Sequence, residues 1–198
     1  WNVSKKEGDD DGMKYKRLFL RLNDQQLIDC IRRYHFENQE TLIQTLYRQL
    51  IHRIEPVVYY EYNYPSDGQM TVTISLGDWP DTAMEQFQAE GNYAKAYAVE
   101  CLCLQILSHS YEQLKEIVHR ETRGFLTDMI FCDEKELSFL IPTLQTRWTN
   151  FPVMITDSCA LLPSKTVVFY GICKDVPSDC SHTCDRCTNT DCCFRNLL

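Results

Sequence analysis

The chain has 198 residues, 28 acidic against 20 basic side chains, a formal net charge of −8 and eleven cysteines. Its apolar share of 44% carries one substantial core, which excludes an intrinsically disordered protein. The acidic balance argues against gripping a phosphate backbone, no run reaches the roughly eighteen apolar residues of a membrane span, and no secretory leader is apparent, so nucleic acid and membrane are not expected partners and a cytoplasmic setting is expected.

Residues 1–12 (WNVSKKEGDDDG) are polar and unpatterned and read as a flexible leader. Lys14 to Leu22 alternates basic and apolar residues as an extended lead-in, and Asn23 or Asp24 is placed to cap a helix carrying Leu27, Ile28 and Ile31. A second helix is expected over residues 41–54, capped by Asn38, so residues 13–55 form a helical N-terminal part. Val57 to Tyr64 is rich in β-branched and aromatic residues, and Met70 to Leu76 alternates strictly. With the turn Pro65-Ser66-Asp67-Gly68 between them they read as an antiparallel hairpin with one face on a core.

Asp81 is the expected cap of a short helix to about Gln88, and a long helix follows from Asn92 to about Arg120 with Tyr93, Tyr97, Cys101, Leu107, Tyr111, Leu114 and Val118 on its apolar stripe. Gly124 breaks the helical pattern, and Asp133 caps another helix with Leu137, Leu140, Ile141 and Leu144 inward. Val153 to Leu162 and Thr166 to Ile172 read as the last two strands. This order of elements points to an α+β fold with an antiparallel sheet packed with helices, followed by a cysteine-rich C-terminal tail.

That tail, residues 174–198, is almost free of apolar residues but holds Cys180, Cys184, Cys187 and Cys192. The Cys184-x2-Cys187 pair suits one ion, and four thiolates in one short segment fit a tetrahedral zinc site or an iron–sulfur cluster. Cys193, Cys173, Cys159 and His182 are further donors. Spacing does not separate zinc from iron–sulfur, and a disulfide-tied tail is the competing reading. No G-x-G-x-x-G, P-loop, G-x-S-x-G or H-E-x-x-H signature occurs, so no catalytic residue is assigned. The turn at Arg120, where an arginine precedes Gly124 and Phe125, offers a fixed cation and exposed backbone amides to a carboxylate or a flat ring.

Three stretches resemble the activation domain of vitamin B12-dependent methionine synthase, which also occurs as free-standing proteins. Asn92-Tyr93-Ala94-Lys95 opens a long helix that ends on Glu112-Gln113-Leu114 and His119-Arg120. Arg120-x-x-Arg123-Gly124-Phe125 falls where the family has Arg-x-x-Pro-Gly-Tyr, its S-adenosylmethionine-binding turn. Ile155-Thr156-Asp157-Ser158, Leu162-Pro163-Ser164-Lys165-Thr166-Val167 and Tyr170-Gly171 look like its last strand pair, and the C-terminal cysteines before Arg195 look like the tails of some free-standing members.

The likeness covers residues 56–173 and implies a curved antiparallel sheet with helices. It also implies an accessory role: reactivation, by reductive methylation with S-adenosylmethionine, of a cobalamin-dependent methionine synthase or related corrinoid methyltransferase, with the cobalamin carried by that partner. A flavodoxin-like protein would supply the electron. By position, Arg120 would hold the methionine carboxylate, and Thr122, Gly124 and Phe125 would line the ligand. The chain departs from the family where Arg123 replaces the proline and Phe125 the tyrosine, and where Gln105 and Leu107 stand in the neighbourhood of a ligand-contacting acid. The alternative is a metal- or cluster-bearing module that docks on a corrinoid protein without S-adenosylmethionine.

Overall fold

A computed structural model describes residues 13–62, 68–148 and 150–177. The leader at 1–12, the turn residues 65–67 and Cys180, Cys184, Cys187 and Cys192 lie outside the described residues. Five strands, β1 (Met13–Arg17), β2 (Val57–Tyr62), β3 (Gln69–Ser75), β4 (Phe125–Phe131) and β7 (Thr166–Lys174), form one open antiparallel sheet in the order β1-β2-β3-β7-β4. A separate hairpin pairs β5 (Met154–Ile155) with β6 (Leu161–Leu162). The helices are α1 (Asp24–Arg33), α2 (Glu40–Ile51), α3 (Trp79–Ala89), α4 (Tyr93–Thr122) and α5 (Glu134–Arg147).

Helices α1, α2 and α4 cover one face of the sheet. Val58, Tyr60, Met70, Val72, Ile74 and Phe169 from the strands meet Ile43, Leu50, Leu102, Ile106 and Leu114 in the main core. The other face is covered too, by α5 and the chain after it, where Met13 and Val168 meet Ile141, Leu144, Phe151 and Val153. The expectation of a hairpin with one buried face is thereby corrected. Thr71, Thr73 and Ser75 are buried, because Tyr59, Trp148 and Phe151 close over this side with ring centroids 4.6 to 6.2 Å apart. Small hydroxyl side chains leave room for such a layer and can bury their oxygens once hydrogen-bonded, as Thr166 Oγ1 does with Ser75 Oγ at 2.9 Å.

Local chemistry explains most element ends. Asn23 and Asp133 each close a capping box, with Gln26 and Glu136 reaching back to the cap. Asn92 caps α4, whose 30 residues span about 45 Å. Asn38 does not cap α2, because Glu37–Gln39 forms a 3-10 turn that runs straight into it. Asp81 does not cap α3 either. The helix starts at Trp79-Pro80, where proline suits a first turn that needs no N–H partner, which leaves the Asp81 carboxylate for another task. Tyr93 and Tyr97, expected on the buried stripe of α4, are exposed, while Ala96, Ala98 and Val99 form the buried face of that turn. The segment after Gly124 is the edge strand β4, and the span 153–162 is not one strand but folds back on itself as β5 and β6.

Candidate functional site

The long helix delivers the candidate residues to one end of the sheet. Arg123 terminates α4 in the left-handed region at φ 59°. Proline, locked near −65°, cannot adopt that angle, so this turn could not hold the proline of the Arg-x-x-Pro-Gly-Tyr pattern it resembles. Arg123 N–H donates to the carbonyl of His119 at 2.9 Å. Gly124 N–H donates to Thr122 Oγ1 at 3.0 Å, and the Gly124 carbonyl faces His119 Nδ1 at 3.1 Å. The amides that the sequence offered to a ligand are therefore consumed inside the turn, which corrects that expectation. A Cβ on Gly124 would meet Thr122 Oγ1 at 3.2 Å and the Lys174 carbonyl at 3.3 Å, so packing alone accounts for the glycine.

Thr122 and Gly124 line a cleft of about 230 Å³ together with Tyr62, Gly68, Cys173 and Lys174. Arg120 and Phe125 are not on its wall. Arg120 is exposed and its Nε donates back to the Glu116 carbonyl at 3.3 Å, while Phe125 stacks on His119 at 4.6 Å. Cys173 closes the floor, its N–H bonded to the Gly68 carbonyl at 2.6 Å and its thiol 3.8 Å from Met70 Sδ. Burial raises that thiol's pKa, so it rests protonated in neutral water.

Beside the cleft lies a cluster centred on Glu121. Its carboxylate accepts hydrogen bonds from Tyr60 OH at 2.7 Å, Tyr62 OH at 3.4 Å, Lys14 Nζ at 3.3 Å and, at short range, Lys16 Nζ. Partial burial on its own would raise the carboxyl pKa, but the bonds from Lys16 and Tyr60 and the charges of Lys16 and Lys14 outweigh it and hold the group below its ordinary value. Burial first, then the Glu121 charge, pushes the Tyr62 phenol well upward. Tyr62 therefore stays a neutral donor at the cleft rim. Glu121 itself was not singled out by sequence reading; its neighbourhood to Arg120 and the basic alternation of Lys14 and Lys16 were the available signals. Gln105 and Leu107 supply no acid: Gln105 accepts from Arg33 at 3.3 Å, and Leu107 is buried in the core.

A second polar cluster holds the loop before β7. Asp81 accepts from both the N–H (2.7 Å) and the hydroxyl of Ser164. The buried Lys165 Nζ sits 2.6 Å from Glu100 of α4 and 3.0 Å from Ser164 Oγ. Among the described residues no group of three or more His, Cys, Asp or Glu is placed to hold a metal. Cys30, Cys101 and Cys103 are buried free thiols.

No family model matches the chain, and no curated protein matches it in sequence. Among solved structures it is similar to the crystal structure of the MetH reactivation domain bound to AdoHcy. The two share 10% sequence identity, with a TM-score of 0.55, over 91% of this chain and 85% of the other. The fold of the chain resembles that domain almost end to end.

Proposed function

We propose that the chain is an accessory protein for the reactivation of a cobalamin-dependent methionine synthase or a related corrinoid methyltransferase. The observation that carries this reading is the shared architecture over nearly the whole length of both chains. In that role one electron and a methyl group from S-adenosylmethionine convert the partner's cob(II)alamin to methylcobalamin and release S-adenosylhomocysteine. The cleft beside Gly124 is smaller than the roughly 300 Å³ at which drug-sized ligand pockets begin. It fits one end of such a ligand, with Thr122 and Tyr62 as hydroxyl partners and Arg120 beyond the rim to meet a carboxylate. A corrinoid methyltransferase arrested as cob(II)alamin, mixed with a one-electron donor and S-adenosylmethionine, tests the role. Regrowth of the methylcobalamin absorption only when this chain is added is expected; an unchanged cob(II) spectrum opposes it.

The use of the Arg123 and Gly124 amides inside the turn favours a second reading, in which the chain docks on a corrinoid protein without S-adenosylmethionine. Zinc or an iron–sulfur cluster on Cys180, Cys184, Cys187 and Cys192 would then be the working group. Anaerobic purification with metal analysis separates the two possibilities for that tail. Stoichiometric metal lost with Cys184→Ser and Cys187→Ser is expected if the thiolates bind it, and a metal-free chain contradicts it.

A further inference from the structure

The described clefts include a larger one at the opposite end of β2 from the site above. The cleft beside Gly124 adjoins Tyr62, the last residue of β2. The second cleft lies beyond the Val57 end, roughly 17 Å away along the strand, where α2 runs out and α3 begins. It is an open depression of about 600 Å³ between Arg48, His52 and Arg53 on one side and Trp79 and Phe87 on the other. A neighbouring groove of about 310 Å³ shares His52 and Arg53 and adds Arg17 and Arg21.

Three features set this surface apart. The chain carries eight more acids than bases, yet no acidic side chain lines the larger cleft. The one glutamate of the adjoining groove, Glu55, is 3.7 Å from Arg17. Arg21, Arg48 and Arg53 have no ion pair or side-chain hydrogen bond among the described residues. Gathering like charges costs repulsion that an anionic ligand relieves, and guanidinium groups bind phosphate in a bidentate manner. The wall opposite is the half-buried rings of Trp79 and Phe87, which pack on the main core, with Lys95 Nζ 5.4 Å above that of Phe87. The volume falls within the range of small-molecule pockets, and a concave site suits such a ligand better than a flat protein face does.

We propose that the cleft between α2 and α3 binds a purine nucleoside diphosphate. The base would lie against the exposed part of the Trp79 ring, and the phosphates would be held by Arg48 and Arg53. The site is separate from the cleft at Gly124 and does not depend on the reactivation role.

Titration of the full chain with ADP, GDP, adenosine and pyrophosphate, read by calorimetry and tryptophan fluorescence, tests this. Saturation of one site by ADP or GDP is expected, with adenosine and pyrophosphate each at least about tenfold weaker. Arg48→Glu with Arg53→Glu should weaken the diphosphate about a hundredfold. These arginines are exposed and unpaired, so an unchanged circular dichroism spectrum is expected for the double variant, and S-adenosylmethionine binding should be unaffected. Trp79→Phe should abolish the fluorescence change while leaving a measurable heat. Absence of saturation by both diphosphates, or equal affinity in the double variant, overturns the proposal. Binding of polyglutamate without binding of either nucleotide overturns it as well and assigns the surface to an acidic protein.

Discussion

At Glu121 four donors from two strands converge on the end of one helix, and the carboxylate ties β1 and β2 to α4. Replacing it by Gln removes the charge that Lys14 and Lys16 share and should cost about 1 kcal/mol, since the group is partly exposed and the lysine pairs are screened. Its folded-state pKa lies below the ordinary value of 4.5. The stabilisation is therefore complete above that value and is lost as pH falls through the depressed one. Urea unfolding should show Glu121→Gln less stable than the parent at neutral pH, with the gap closing in acid. A gap that is independent of pH would show that the charge contributes nothing. Of the residues named from sequence, Thr122 and Gly124 line the cleft while Arg120 and Phe125 do not; Glu121 escapes sequence reading because its cluster is assembled by strand register from residues more than fifty positions apart, which periodicity does not encode.

At the scale of elements, what was legible was local. The caps Asn23 and Asp133, the start of α4 at Asn92, the strict alternation of β3 and the apolar stripe of α4 through Cys101, Leu107, Leu114 and Val118 are each set by a few neighbouring side chains. What was missed needed tertiary context. The strand β4 lacks clean alternation because its pairing with β7 shifts register between Leu126 and Asp128. The face of β3 carrying Thr71 and Thr73 looked solvated until the aromatic layer closed over it. The loop at Ser164-Lys165 is a third case: read as a strand connection, it is also the point where α3 and α4 are fastened to the sheet. Lys165→Ala leaves Glu100 without its cation and Ser164 without a donor. Because Glu100 is partly exposed, a loss of about 2 kcal/mol is expected, below the usual cost of breaking a fully buried pair. Chemical denaturation measures it, and a change under about 0.5 kcal/mol, the range of neutral surface substitutions, would remove the loop's fastening role.

For the whole molecule, the two ends of the β2–β3 hairpin carry different chemistry: a hydroxyl- and carboxylate-lined cleft at Tyr62, and an arginine-lined one beyond Val57. The covered sheet leaves these ends and the edge strands β1 and β4 as places where a partner or ligand can reach backbone and polar groups. No described helix is long and apolar enough to cross a membrane. The proposed reactivation role requires S-adenosylmethionine to bind this chain, which shares 10% identity with the domain of like fold. Calorimetric titration of the full chain with S-adenosylmethionine tests that most directly. One saturable site is expected, weakened about tenfold by Arg120→Ala, the cost of one charge-assisted contact; no heat with ligand in large excess, or an Arg120→Ala variant that binds as the parent does, would contradict it.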